Sequence, residues 1–203
     1  MGTNYKYEYK VKSLLEQFFP ERNKNLIKSE CPDFHNDVVG LEITTATSKN
    51  DMEINAFFSE YANKDKKDIP FKLLQKIEKN THLIYSDGRL SGYRDSFKYS
   101  FSIIKEIKKI LTNKTKKLNN NYYIYKNNDL AIQIRDNFIF YEDYDNDFEK
   151  EIMNEFLNLL KETIAEINEN YKIAFDFIYI VYENVLISIN EKKNYKSWIV
   201  IKK

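Results

Sequence analysis

A chain of 203 residues with 42% hydrophobic content, sixteen tyrosines and fourteen phenylalanines is long and apolar enough to bury a core, which excludes intrinsic disorder despite the low mean hydropathy. Lysine plus arginine (32) nearly balances aspartate plus glutamate (31), which excludes the uniform positive field of a non-specific nucleic-acid binder and leaves any such contact to a local patch. A single cysteine, Cys31, excludes an internal disulfide, and with two histidines it argues against a structural zinc site.

In chain order, Tyr7, Val11, Leu14, Leu15 and Phe18 recur at helical spacing until Pro20, which predicts a first helix over 7–19; the alternation Tyr5, Tyr7, Tyr9, Val11 also permits a strand. NLIKSECPDF (25–34) and DVVGLEITTAT (37–47) read as two strands joined around His35 to Asp37, a hairpin whose second arm is rich in β-branched residues. Helical patterns follow at 51–62, 70–80 and 97–118, then strands at 121–125, 129–134 and 138–142, a helix at 147–169, and strands near 173–181, 185–189 and 197–202. With only four glycines, the turns rely on Asn and Asp. This mixed α/β order needs a central sheet with helices packed on it, and no repeat or linker divides the chain. No apolar run approaches 18 residues and MGTNYKYEYK lacks a signal-peptide core, so a cytoplasmic protein without a membrane partner is expected.

Asp33 and Glu42 lie nine residues apart on adjacent arms of the expected hairpin. Val38, Val39, Leu41 and Ile43 fill both faces around Glu42, so its strand is expected at the sheet centre. A carboxylate there has to be paired, protonated or bound to a cation. Two carboxylates converging at a strand end offer the hard oxygen ligands that Mg²⁺ takes, with waters completing the octahedron. The bland reading is a turn-capping Asp33 and a strand-end Glu42 facing water.

PDF (32–34) followed by GLEIT (40–44) resembles the motif of the PD-(D/E)xK nucleases, the restriction-endonuclease-like superfamily. The resemblance implies that fold, a mixed central β-sheet flanked by α-helices, over perhaps 140 residues from the first helix to the LAIQI strand. It implies one nuclease-like domain over 1–203, with its core at about 5–136 and the helix and strands of 147–203 packed on it. It also implies Mg²⁺ or Mn²⁺ held by Asp33, Glu42 and the Ile43 carbonyl, with Glu8 of the first helix assisting through water. Thr44 departs from the pattern, standing where the family usually has lysine.

Phosphodiester cleavage needs positive charge beside the developing pentavalent phosphate. On the 97–118 helix the apolar row Ile104, Ile107, Leu111 continues to Lys114 and Leu118, and the row Ile103, Ile110 continues to Lys117. KTKKLNNNYYIYKNNDLAIQI also resembles the lysine-helix-to-strand passage of nuclease-like proteins that carry EVT in place of ExK. The competing row Lys72, Lys76, Lys79 reads as a solvated face, and both inward lysines have the alternative of snorkelling to solvent. At 100° per residue Glu8 lies about 60° from Val11, at the edge of the apolar stripe, whereas Glu16 lies about 140° away. His35 reads as a turn residue, and the acidic 141–151 segment as a helix N-terminus with Asp145 or Asp147 as cap.

These readings converge on a metal-dependent nuclease, with DNA favoured over RNA as substrate, with Asp33, Glu42, Lys114, Lys117 and Glu8 as its site and a homodimer allowed. By fold analogy its setting would be phage, mobile-element or defence biology. The runner-up is a catalytically inactive binding or inhibitory protein on the same scaffold, in which Thr44 records a lost lysine.

Overall fold

The computed structural model describes residues 4–79, 81–95, 102–120, 125–135, 146–173, 175–182, 185–190 and 199–202. Helix α1 (Asn4–Phe18) and the single turn α2 (Pro20–Asn23) precede three antiparallel strands, β1 (Ile27–Lys28), β2 (Phe34–His35) and β3 (Val39–Ala46). Next come α3 (Lys49–Tyr61), α4 (Phe71–Glu78), the hairpin β4 (Thr81–Ser86) and β5 (Arg89–Asp95), and α5 (Ser102–Asn119). The chain continues through β6 (Asn127–Ile134), α6 (Asn146–Tyr171), β7 (Phe177–Tyr182), β8 (Val185–Asn190) and β9 (Ile199–Lys202).

Seven of these strands make one mixed sheet in the order β1-β2-β3-β6-β7-β8-β9, parallel at β3–β6 and β6–β7 and antiparallel elsewhere. The two parallel joints need long crossovers, and both crossover helices, α5 and α6, lie on one face, as crossovers of the same hand advancing in one direction must. There Ile103, Ile107 and Leu111 of α5 and Leu160 and Ile164 of α6 pack on Leu130, Ile132, Ile178 and Ile180. On the opposite face Val11 and Leu15 of α1 cover Phe34, Leu41, Ile43, Ala131 and Tyr179. A third cluster, Ile54, Phe57, Leu74, Ile77 and Leu90, joins α3, α4 and the β4–β5 hairpin.

The sheet is therefore a mixed α/β sheet flanked by helices, as expected, with local departures. The arm expected over 25–34 is not one strand: SECPD closes a turn, in which Ser29 N–H donates to the Asp33 carbonyl at 2.9 Å, and leaves two dipeptide strands on either side of it. The turn into β3 is held by Asn36, whose side-chain oxygen accepts from Val38 N–H at 2.9 Å and Val39 N–H at 2.8 Å. The β4–β5 pair was not anticipated; its sequence, THLIYSDGRLSGYRD, offered Asp87-Gly88 as the turn, both with positive φ. β7 sits beside β6 in the sheet centre and α6 shares the core of α5, so the central sheet and its core extend beyond the expected bounds of about 5–136. The strand expected at 138–142, most of that expected at 121–125 and the cap at Asp145 lie outside the described residues, as does the side chain of Asp147.

Beneath α2 the sheet carries a buried ion pair. Arg22 donates from Nε to Asp129 Oδ2 and from its NH2 nitrogen to Oδ1, both at 2.6 Å, and its guanidinium lies 4.4 Å from the Phe177 ring centre. Asp129 is 1% exposed. Burial pushes its carboxyl above the ordinary range against the opposing pull of Arg22, and burial beside Asp129 pushes the Tyr179 phenol up as well. Removing the arginine leaves that carboxylate uncompensated, so Arg22→Ala is expected to cost about 3–5 kcal/mol in chemical denaturation. A loss below about 1 kcal/mol, the level of an exposed pair, would contradict this description.

Candidate functional site

Position 42 is set by the ladder around it. Leu41 and Ile43 pack into the α1-side cluster, so by alternation Glu42 and Thr44 point to the α5 side. There the Lys114 ammonium donates to Glu42 Oε1, an ion pair between residues 72 apart in sequence. The pair is only partly solvated, with side chains 21% and 15% exposed. The continuation of the apolar α5 stripe thus does turn inward at Lys114, whereas Lys117 is exposed. Lys72, Lys76 and Lys79 are all exposed, and Lys76 pairs with Glu53 at 2.7 Å.

Glu42, Lys114 and Lys117 line a small cavity with Pro32, Gly40 and Asn128. Gly40 has a packing reason here: a Cβ would sit 2.6 Å from Tyr125 Cδ2 and 3.0 Å from Pro32 Cγ, so only glycine lets these rings close over the strand. Tyr125 also lies against His35, ring centres 5.4 Å apart, consistent with a structural histidine. Asn128 holds both the N–H and the carbonyl of Tyr125 through its side chain, at 3.1 Å each, and gives its own N–H to Asp176 Oδ2 at 2.8 Å.

Asp33 belongs to a second group of contacts. Its Oδ2 accepts the Ile43 N–H at 2.7 Å, which ties it to the backbone beside Glu42. Its Oδ1 lies 3.5 Å from Lys28 Nζ, and the same ammonium lies 2.8 Å from Glu8 Oε2 and 4.9 Å from the Phe34 ring centre. Glu8 is 7% exposed, so the helical wheel placed it correctly against the sheet. Burial pulls the Lys28 ammonium down, but Glu8 and Asp33 outweigh it and the net shift is upward. Tyr7 is raised by burial and by the same two acids, with Arg135 stacked on its ring at 4.3 Å opposing.

The expected residues therefore assemble as Glu42 with Lys114, and as Asp33 with Glu8 through Lys28. Ile43 stands between the groups and contributes its N–H to Asp33. Sequence reasoning missed Lys28, whose place opposite Phe34 is set by the β1–β2 register. It also missed Arg22 and Asp129, because no local pattern couples a helix turn to a strand 107 residues away. Among the described residues no three His, Cys, Asp or Glu side chains converge as a metal-binding group. Asp33 and Glu42 each pair with a different lysine, and their carboxylate oxygens are of the hard donor type that Mg²⁺ takes alongside its waters.

No family model, no curated protein and no solved structure matches this chain. Among the described residues no helix is long and apolar enough to cross a membrane.

Because Asp33 satisfies a strand N–H, its amide and apolar variants are expected to separate. Asp33→Asn retains an acceptor for Ile43 N–H, and Asp33→Ala leaves that N–H unmet at a cost of about 1–3 kcal/mol. Equal stability of the two variants in urea unfolding would refute the assignment.

Proposed function

We propose that this protein is a metal-dependent nuclease of the PD-(D/E)xK type, hydrolysing phosphodiester bonds in DNA more readily than in RNA, on a restriction-endonuclease-like scaffold. The observation that carries the reading is the Glu42–Lys114 pair, which brings a helix-borne lysine to the strand acid of a motif whose own lysine position holds Thr44. Asp33 and Glu42 are the residues that would hold Mg²⁺ or Mn²⁺, with Ile43 between them and Glu8 on the flank. A bound divalent ion supplies Lewis acidity and an activated water.

The protein's own part is positional and electrostatic. Ile43 N–H fixes the Asp33 carboxylate, Lys114 and the exposed Lys117 present positive charge for a phosphate at the mouth of the cavity, and Lys28 is a second ammonium within reach of Asp33. The chain's near-neutral charge fits a site-local contact with nucleic acid. A cytoplasmic setting, a role in phage, mobile-element or defence biology, and a homodimer are compatible with this reading. The second reading, an inactive binding or inhibitory protein, draws on one observation: both acids are already answered by lysines.

The test is cleavage of linear, circular and single-stranded DNA and of RNA with Mg²⁺ or Mn²⁺. Wild type is expected to cut, and Asp33→Ala, Glu42→Ala and Lys114→Met each to slow cutting by about 100-fold or more. Absence of cleavage together with no metal-induced change in melting temperature would favour the inactive reading. Undiminished cleavage by the Asp33 and Glu42 variants would displace the site.

A further inference from the structure

Next to the Glu42–Lys114 cavity, at the starts of β6 and β7, a wider groove runs between α2 and the sheet and holds about 460 Å³. The two hollows are neighbours in the chain as well: Asn127 and Asp176 line the groove, while the adjacent residues Asn128 and Phe175 line the cavity. The groove is of the size that accepts a ring-sized ligand.

Its walls are aromatic and its rim is polar. Phe18, Phe19 and Phe177 face it, with Arg22, Glu21, Asn127, Asp176 and Asn190 around them. Phe177 is flat against Tyr179, with ring centres 5.7 Å apart and planes 7° from parallel, and carries the Arg22 guanidinium on it. Because Asp129 binds that guanidinium through two nitrogens, the planar group is fixed in orientation and its charge is answered. The remaining charged side chains at the rim, Glu21 and Asp176, are both acids.

Asp176 already accepts the Asn128 N–H and the Asn127 amide donates to the Val38 carbonyl, so the exposed Glu21 is the acid the rim offers; a phosphate is a poor fit there, and a plain hydrocarbon uses the aromatic walls but not the acid. A flat heterocycle that presents hydrogen-bond donors on its edge uses both. We infer that this groove binds an unpaired nucleobase carrying an exocyclic amino group, stacked on the Arg22–Phe177 platform with its donor edge toward the Glu21 carboxylate at the rim. Adenine, guanine and cytosine offer that amino group and uracil does not, so the site discriminates by edge chemistry while the stacking term is common to all four. The inference deepens the nuclease reading: a strand whose phosphate lies at Lys114 places a neighbouring base within reach of the groove.

Saturation-transfer NMR on the full chain with adenosine, guanosine, cytidine and uridine, in the presence of EDTA, tests it apart from catalysis. Transfer to the base protons of the three amino-bearing nucleosides is expected, with uridine weaker. Phe177→Leu, which keeps apolar volume but removes the stacking ring, is expected to weaken binding about fivefold or more. Glu21→Gln, at an exposed position, is expected to narrow the difference between cytidine and uridine. No transfer from any nucleoside, equal transfer from uridine, or undiminished binding by a folded Phe177→Leu variant would overturn the inference. Because EDTA removes metal-dependent hydrolysis, these results are independent of whether the protein cleaves nucleic acid.

Discussion

The parallel ladder between β3 and β6 pairs eight residues, from Val39 with Asn127 to Ala46 with Ile134, and leaves β3 with helices over both faces. Any charged side chain on that strand has to find its partner inside the protein. At position 42 the partner comes from α5, which the crossover from β3 to β6 lays across the same face. The ladder therefore determines which lysine meets the acid, and Tyr125, just ahead of β6, lies on Gly40 and closes the cavity beside it.

Asp33 is tied to this arrangement by one hydrogen bond. Its carboxylate holds the N–H of the residue after Glu42, so the acid of the β1–β2 turn and the acid of β3 share a stretch of backbone while their side chains meet different lysines. Such part-buried pairs contribute modestly to stability and strongly to placement. Each ammonium occupies a position that a cation of higher charge would contest, so metal binding at either acid would be coupled to release of its lysine. The Arg22–Asp129 pair links the two hollows, Arg22 lining the groove and Asp129 the cavity of Lys114 and Lys117.

Much of this was legible in the sequence. The helical wheel of α1 put Glu8 against the sheet, and the stripe of α5 pointed Lys114 inward, because a 3.6-residue period is written in consecutive residues. The apolar run around Glu42 signalled a strand covered on both sides. What was not legible depends on contacts between distant segments. The SECPD turn splits an apparent strand because Ser29 and Pro32–Asp33 satisfy one another locally, and the β4–β5 hairpin lies in a polar stretch with little alternation to read. The face to which Asp33 turns was a matter of register, and so was the choice of Lys28 as its cation.

The proposed nuclease requires the acid at position 42 to take part in divalent-ion binding once Lys114 gives way. Titration of Mn²⁺ into the protein, followed by water-proton relaxation and compared with Glu42→Gln, addresses this directly. Wild type is expected to bind saturably, with the affinity lowered by about tenfold or more in the variant. Equal affinity of the two proteins for Mn²⁺ would contradict it.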